Sequence, residues 1–228
     1  MGGRWSRDKK VRMRSSRIDT TQLLATAMAA MEQPPSVWLC ASAIGYYGDC
    51  GDTVMCEDDA PGAGFLADMC RDWEAAVGPA VEKGIRVVNI RIGVVLSRGG
   101  GALAEMLTPF RMGVGGPAGT GRQFISWIHM DDVAGAISHL LADTSAARPV
   151  NIVGPNPVTN AEFARALAAV LSRPAVVRTP ASVLRMLVGA VADETILSST
   201  RVEPARLLKS GYAFQYPVLG NALRQLLG

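Results

Sequence analysis

The sequence lacks the features that would mark it for metal binding, membrane insertion or nucleic-acid binding. Its four cysteines form no Cys-x-x-Cys pair and it has only two histidines, so no His, Cys or carboxylate spacing fits a metal site. No apolar segment approaches the length of a membrane span. The net charge of +3 is too small and too scattered to favour nucleic acid or a membrane surface. We therefore expect no metal, no nucleic-acid partner and no membrane, in a reducing, cytoplasmic compartment.

What remains is the composition of an ordinary globular protein. Of the 228 residues 49% are hydrophobic and 19% are charged, which is enough to bury a real core. There are no internal repeats. One basic cluster lies near the N-terminus, and it is interpreted as a solvated face or a phosphate contact; it comprises Arg4, Arg7, Lys9, Lys10, Arg12, Arg14 and Arg17. A transit peptide is disfavoured because Asp8 and Asp19 interrupt the run.

Hydrophobic periodicity predicts alternating helices and strands in the first half of the chain. Helices are expected at 15–31, capped by Ser15 or Ser16, and at 65–81. Each precedes an apolar, β-rich run, at 37–41 and at 87–96. This α-β-α-β order is typical of a parallel, doubly wound sheet.

The second half predicts further helices and a separate C-terminal unit. Asp131 and Asp132 are expected to cap a helix that runs to residue 141, and Thr159 with Glu162 forms a capping box. A short strand is expected at 174–177, and a helix with a buried apolar face at 180–191. We predict a Rossmann-like domain at 1–171 and a small, mostly helical cap at 172–228.

The polar residues that follow the first apolar strand are the first candidates for chemistry. Ser42, Tyr46 and Tyr47 lie where this strand meets a turn bounded by glycines. Ligands of open α/β sheets bind outside the carboxyl ends of the strands. The alternative is that these side chains only satisfy the hydrogen bonds of a loop.

Several short motifs, in order along nearly the whole chain, carry a family resemblance. They are Ser16-Arg17 with 20–24, Ser42–Gly48, Trp73–Ala76, Arg91–Leu96, Gly99–Leu103, Pro109–Arg111, Ser126–His129, Asn151, Thr159–Phe163 and Gly211-Tyr212. Together they resemble the extended short-chain dehydrogenase/reductase superfamily. The chain looks most like the atypical NAD(P)-dependent epimerase/dehydratase branch, which carries a C-terminal domain of unknown function.

The resemblance implies a Rossmann-like core that binds NADP(H), with NAD(H) as the alternative. The family begins with a strand, a G-x-x-G-x-x-G turn and a helix that hold the pyrophosphate. This sequence has no such turn before a helix. We therefore expect the C-terminal part of the doubly wound sheet, without its first βα units, and a longer natural protein is one hypothesis.

The resemblance also implies a reductase triad of Ser, Tyr and Lys, in which Lys lowers the pKa of Tyr. Ser42 stands at the Ser position, but Leu66 and Cys70 occupy the positions of Tyr and Lys. The triad is therefore degenerate. Ser42 and Tyr47, the latter as a substitute phenol, are the predicted catalytic residues.

The family pattern suggests further binding residues. Arg12, Arg17, Ser42, Arg91 and Val95 are the predicted cofactor contacts, although Arg17 could equally be a solvated helix-end charge.

The predicted substrate contacts are Tyr46, Trp127 and His129, with a structural His129 as the alternative. Asp132 is expected to cap a helix or to order a loop.

Two functions follow as hypotheses. The first is an NADP(H)-dependent oxidoreductase or nucleoside-sugar-epimerase-like protein that acts on an unknown small molecule. The second is a non-catalytic remnant or binding module. Because the first strand would have an unpaired edge, we also expect marginal stability or self-association through that edge.

Overall fold

A computed structural model describes residues 5–146 and 148–228, so Arg4 of the basic cluster lies outside the described residues. The helices are α1 (Arg7–Ala29), α2 (Phe65–Ala75), α3 (Gly78–Glu82), α4 (Gly101–Arg111), α5 (Met130–Ala142), α6 (Asn160–Val170), α7 (Ala181–Val188), α8 (Ala205–Lys209) and α9 (Leu219–Leu227). A 3₁₀ turn spans Ile44–Tyr47 and a π-helical turn spans Ala192–Ile196.

Three parallel strands form the central sheet, in the order β1 (Val37–Ala43), β3 (Arg86–Ile92), β7 (Val150–Ile152). The smaller pairings are β2 (Val54–Met55) with β9 (Arg201–Val202), β4 (Val94–Leu96) with β6 (Trp127–His129), and β5 (Phe124–Ile125) with β8 (Val158–Thr159). Helices cover both faces of the central sheet. The parallel α/β fold predicted from the sequence is confirmed.

The two faces of the sheet follow from the period-2 alternation of strand side chains. Trp38 and Val87 point to one face and pack with Ala25 of α1 and Ala80 of α3. Val88, Ile90 and Ile152 point to the other face, where α5 covers them with Val133, Ala136 and Leu140. Side chains near the ends of β1 and β3 on the first face are polar, and these build the candidate site.

The C-terminal segment shares its core with the rest of the chain. Leu219, Ala222 and Leu223 of α9 pack with Phe163 and Leu167 of α6 in one buried cluster. Strand β9 pairs in parallel with β2. Apolar packing therefore connects the two sides of the predicted domain boundary between 171 and 172. The boundary itself stays a prediction.

Several predicted element boundaries are wrong. Helix α1 begins at Arg7, because Ser6 accepts a hydrogen bond from the backbone N–H of Lys9 and caps it, so Ser15 and Ser16 lie within the helix. The helix predicted at 65–81 is two helices, α2 and α3. His129, rather than Asp131 or Asp132, caps α5. Asp132 instead orders a loop, as the other prediction for it had it: its carboxylate accepts from the backbone N–H groups of Gln215 at 2.7 Å and Tyr216 at 2.9 Å.

The other corrections concern the C-terminal part. Residues 174–177 form no strand, since they make no ladder with another segment. Helix α7 ends at Val188 and has no buried residue; Leu187 is 63% exposed because no other element covers that side. Within the described ranges, no helix combines the length and the hydrophobicity that a membrane crossing requires.

Candidate functional site

A row of three buried polar residues crosses the carboxyl end of the central sheet. Ser42 of β1 lies in register with Arg91 of β3, and Arg91 with Asn151 of β7. Their exposed fractions are 4%, 3% and 0%. The parallel register aligns them because each strand ends at the same edge. This edge is where ligands of open α/β sheets bind.

Glu74 of α2 lies over this row and binds two of its members. Arg91 donates from Nε to Oε1 at 2.8 Å and from Nη2 to Oε2 at 2.9 Å, which is a bidentate pair. Ser42 Oγ also donates to Oε1, at 2.7 Å. Burial disfavours the charge of Arg91, but the hydrogen bonds and charges of Glu74 and Tyr47 outweigh it and raise the pKa of Arg91. The carboxylate thus joins β1 to β3.

Tyr47, in the 3₁₀ turn after β1, closes the row on its other side. Its hydroxyl donates to Asn151 Oδ1 at 2.8 Å and accepts from Arg91 Nη1 at 2.9 Å. The side chain is 1% exposed, and this burial raises the pKa of Tyr47 to about 12, against the opposing effect of Arg91. Tyr47 is therefore protonated at neutral pH. The ring of Tyr46 lies under Arg91, with its centroid 3.5 Å from Arg91 Cζ.

A second buried carboxylate connects the row to the C-terminal segment. Glu57 is 5% exposed, and its Oε1 accepts from the backbone N–H groups of Asn151 at 3.2 Å and of Arg206 at 3.1 Å. Its backbone carbonyl accepts from Arg91 Nη1 at 3.2 Å. Arg206 lies at the start of α8. One polar network thus runs from β1 through β3 and β7 to the C-terminal part.

Leu66 and Cys70, which the resemblance predicts at the positions of the family's Tyr and Lys, pack against the turn after β1. A Cβ placed on Gly45 would lie 3.3 Å from Leu66 Cβ, a tight contact, and 3.8 Å from Cys70 Sγ, an ordinary van der Waals contact. Burial raises the pKa of Cys70 to about 11. Neither side chain can exchange a proton near neutral pH.

Arg17 lies on the site side of α1 and Arg12 does not. The charges of both Arg17 and Arg91 act on Cys70, which places Arg17 within electrostatic reach of the row. Arg17 Nη1 donates to the Met13 carbonyl at 3.0 Å, and its Cζ lies 5.5 Å from the Trp73 ring centroid. Arg12 is exposed on the same helix.

Val95, Trp127 and His129 lie on the β4–β6 pair, and none of them hydrogen-bonds with the row. Val95 pairs with Ile128. Trp127 and His129 are each 1% exposed, and Trp127 Nε1 donates to the Asn156 carbonyl at 3.0 Å.

His129 uses both ring nitrogens within the fold. Nδ1 accepts from the backbone N–H of Asp131 at 3.1 Å, and Nε2 lies 2.9 Å from Gln225 Oε1. This pairing fits a neutral ring with its proton on Nε2.

A cleft of about 190 Å³ opens beside the turn that follows β1. Gly45, Gly48 and Leu66 line one side, and Glu194 and Ser198 of the C-terminal segment line the other. The Glu194 carboxylate accepts from the backbone N–H groups of Phe65 at 3.0 Å and Leu66 at 3.2 Å. Glu194 therefore caps α2, whose N-cap residue is a glycine without a side chain.

Comparison with known proteins gives close matches over nearly the whole chain. The chain is 42% identical to the Mycobacterium bovis epimerase family protein Mb2239 over 220 residues, which cover 96% of the chain and 72% of that relative. It is 39% identical to human epimerase family protein SDR39U1, with 98% and 76% covered. The chain belongs to this epimerase family.

Solved structures agree with that assignment. The crystal structure of human SDR39U1 (isoform 2) with NADPH superimposes with a TM-score of 0.93 at 38% identity, covering 98% of this chain and 76% of that one. A nucleoside-diphosphate sugar epimerase from Corynebacterium glutamicum gives 0.80 at 35% identity, covering 100% and 45%. Residues 179–226 match a domain of unknown function, DUF1731. The chain is thus a member of the atypical, Rossmann-like epimerase branch.

The sequence-based interpretation of this epimerase-family chain gave no role at the site to the carboxylates that organise it, although Glu74 lies in one of the motifs that carry the family resemblance. For Glu74 a signal existed: it follows Ala67 and Cys70 at helical spacing, so a carboxylate lies on the buried stripe of α2. Arg91 in an apolar strand was the matching signal. Glu57 and Glu194 gave none, because their partners lie 94 to 149 residues away. The structure shows no cluster of potential metal ligands within residues 5–146 and 148–228.

Proposed function

We propose that this protein is an NADP(H)-dependent oxidoreductase or epimerase-like enzyme that acts on a small-molecule substrate. The observation that carries the proposal is the buried row of Ser42, Arg91 and Asn151 at the carboxyl edge of a parallel sheet, with Glu74 bound to Ser42. The crystal structure of its human relative with NADPH supports the choice of cofactor. Free thiols at all four cysteines support a reducing, cytoplasmic location.

The residues present fit the cofactor at the nicotinamide end of such a site. Arg17 is half-buried, and no carboxylate of the described residues pairs with its guanidinium, so it is available to a phosphate. Ser42, with Arg91 and Val95 on β3 and β4, would lie along the nicotinamide. When bound, the nicotinamide would supply or accept a hydride.

The chain's own residues then orient the substrate and exclude water. Ser42 offers its Oγ to a substrate oxygen at the sheet edge. The Tyr47 hydroxyl hydrogen-bonds with Arg91 and Asn151. We propose that it acts on the site by holding these two side chains in position. The cleft beside Gly45 and Glu194 would admit the substrate, and Tyr46, Trp127 and His129 would shape its surroundings.

The alternative function is a non-catalytic binding module. Leu66 and Cys70 at the positions of Tyr and Lys favour it, because neither can transfer a proton at neutral pH. In that case the buried row would only stabilise the sheet.

Calorimetric titration with NADPH and NADH tests the proposal. We expect saturable binding of NADPH that Arg17→Gln weakens more than Arg12→Gln, its exposed counterpart on the same helix. If neither nucleotide binds at millimolar concentration, the proposal that this chain uses a nicotinamide cofactor is refuted. Hydride transfer that disappears in Ser42→Ala would exclude the binding module, and a protein that binds NADPH without any turnover would favour it.

A further inference from the structure

The hydroxyl proton of Ser42 is already committed. Ser42 Oγ donates at 2.7 Å to Glu74 Oε1, and a hydrogen bond to a carboxylate is shorter and stronger than one between neutral groups. A serine hydroxyl has one proton and two lone pairs. No described residue donates to Ser42 Oγ. The oxygen therefore keeps its capacity to accept a hydrogen bond but has no proton to donate.

Glu74 cannot easily rotate away and break its hydrogen bond with Ser42. Its side chain is 10% exposed, and Arg91, at 3% exposed, holds both carboxylate oxygens. Removal of the carboxylate from a buried guanidinium strongly destabilises the folded protein, because the buried charge is left without a counterion. Arg91 is itself fixed by Tyr47 and by the Glu57 carbonyl. Rotation of Glu74 toward solvent would therefore break the hydrogen bonds that connect α2 to Ser42 of β1 and to Arg91 of β3.

We propose that Glu74 is the positioning residue of this site: it accepts the hydrogen bond of the Ser42 hydroxyl, so that Ser42 Oγ recognises a hydrogen-bond donor, the hydroxyl of an alcohol, rather than a carbonyl oxygen. This proposal rests on the proposed function in one respect, namely that the ligand binds at the carboxyl edge of the sheet. Ser42 is 4% exposed, so a small donor group fits and a bulky one does not. The substrate class is then an alcohol bound in its hydroxyl form.

The first test needs no ligand. The Ser42 hydroxyl proton should appear as a slowly exchanging signal in the proton NMR spectrum of the selectively labelled protein. Glu74→Gln should abolish or shift it, whereas Glu57→Gln should keep it. Glu57 is the matched control because it is a buried carboxylate of the same network that does not touch Ser42. An unchanged Ser42 signal in Glu74→Gln, or no protected Ser42 hydroxyl in the wild type, would overturn the proposal.

The second test uses cyclohexanol and cyclohexanone, which differ in donor and acceptor character at one oxygen. At tens of millimolar the alcohol should shift the Ser42 and Ala43 amide signals roughly threefold to tenfold more than the ketone, as one net hydrogen bond would. Ser42→Ala should remove this preference, which keeps the test decisive if Glu74→Gln fails to fold. Equal shifts, a preference for the ketone, or no shift with either probe would overturn the proposal. Neither test uses NADPH, so a failed NADPH titration would refute the proposed function alone.

Discussion

Strand β3 shows two different solutions to burial on its two faces. Val88 and Ile90 point to one face, where the side chains of α5 cover them and no partner of special geometry is needed. Arg91, the next residue, points to the opposite face and requires Glu74, Tyr47 and the Glu57 carbonyl, which come from separate parts of the chain. The apolar face stabilises the fold, and the polar face holds a fixed arrangement of groups that a ligand can use.

Loss of one partner of the buried ion pair should produce the largest effect. Arg91→Ala leaves Glu74 buried without a counterion, and we expect the free energy of unfolding to fall by about 3–5 kcal/mol. Ile90→Ala on the apolar face should lower it by about 2–5 kcal/mol through a cavity alone. Urea denaturation measures both values.

A double variant separates the two kinds of burial. Arg91→Met combined with Glu74→Leu removes both charges, so it should recover most of the stability that Arg91→Ala loses. No second substitution should rescue Ile90→Ala in this way. A double variant as unstable as Arg91→Ala would show that the polar face is not held by the ion pair.

Removal of the Tyr47 hydroxyl should have a smaller effect. Tyr47→Phe leaves Asn151 Oδ1 and one Arg91 N–H unpaired, which should lower the free energy of unfolding by about 1–3 kcal/mol. Chemical denaturation at neutral pH gives the value. A loss near zero would mean that water replaces the phenol.

The same tyrosine should make stability depend on alkaline pH. Its pKa is raised from 10.0 to about 12, so between these values the folded state keeps a proton that the unfolded state has lost. Stability should therefore be full below pH 10 and should fall as the pH rises toward 12. Tyr47→Phe should flatten this fall. Tyr212→Phe should flatten it as well, because the pKa of Tyr212, in the C-terminal part, is also raised to about 12. An alkaline fall that neither substitution changes would contradict the prediction.

The smallest expected effect concerns the sheet edge next to the polar row. β1 pairs only with β3 among the described residues, and Ala41 is exposed on it. We predict self-association through this edge, which Ala41→Lys should weaken, whereas Ala75→Lys on the exposed side of α2 should not. Sedimentation velocity over a range of concentrations measures it. A monomer at every concentration would contradict the prediction.

The sequence predicted those features that depend on local periodicity and capping. The apolar run at 37–41 forms the expected strand, which extends to residue 43, and Thr159 with Glu162 forms the expected capping box. Ser42 was identified as a strand-end residue, and its contact with Glu74 could not be, because 32 residues separate them. The start of α1 was missed because its cap, Ser6, lies within a basic run that masks the helix signal. α7 looked like a buried helix because periodicity does not show whether another element covers the apolar stripe.

The comparison of the two faces is tested most directly by mapping where NADPH binds. In a titration followed by amide NMR signals, we expect progressive shifts at Ser42 and Arg91, in the polar row at the carboxyl edge of the sheet, and none at Val88 or Leu140 on the apolar face. Saturation of the Ser42 and Arg91 signals with a common dissociation constant would support the polar face as the binding site. Unchanged signals at both residues, or shifts confined to the apolar face, would contradict it.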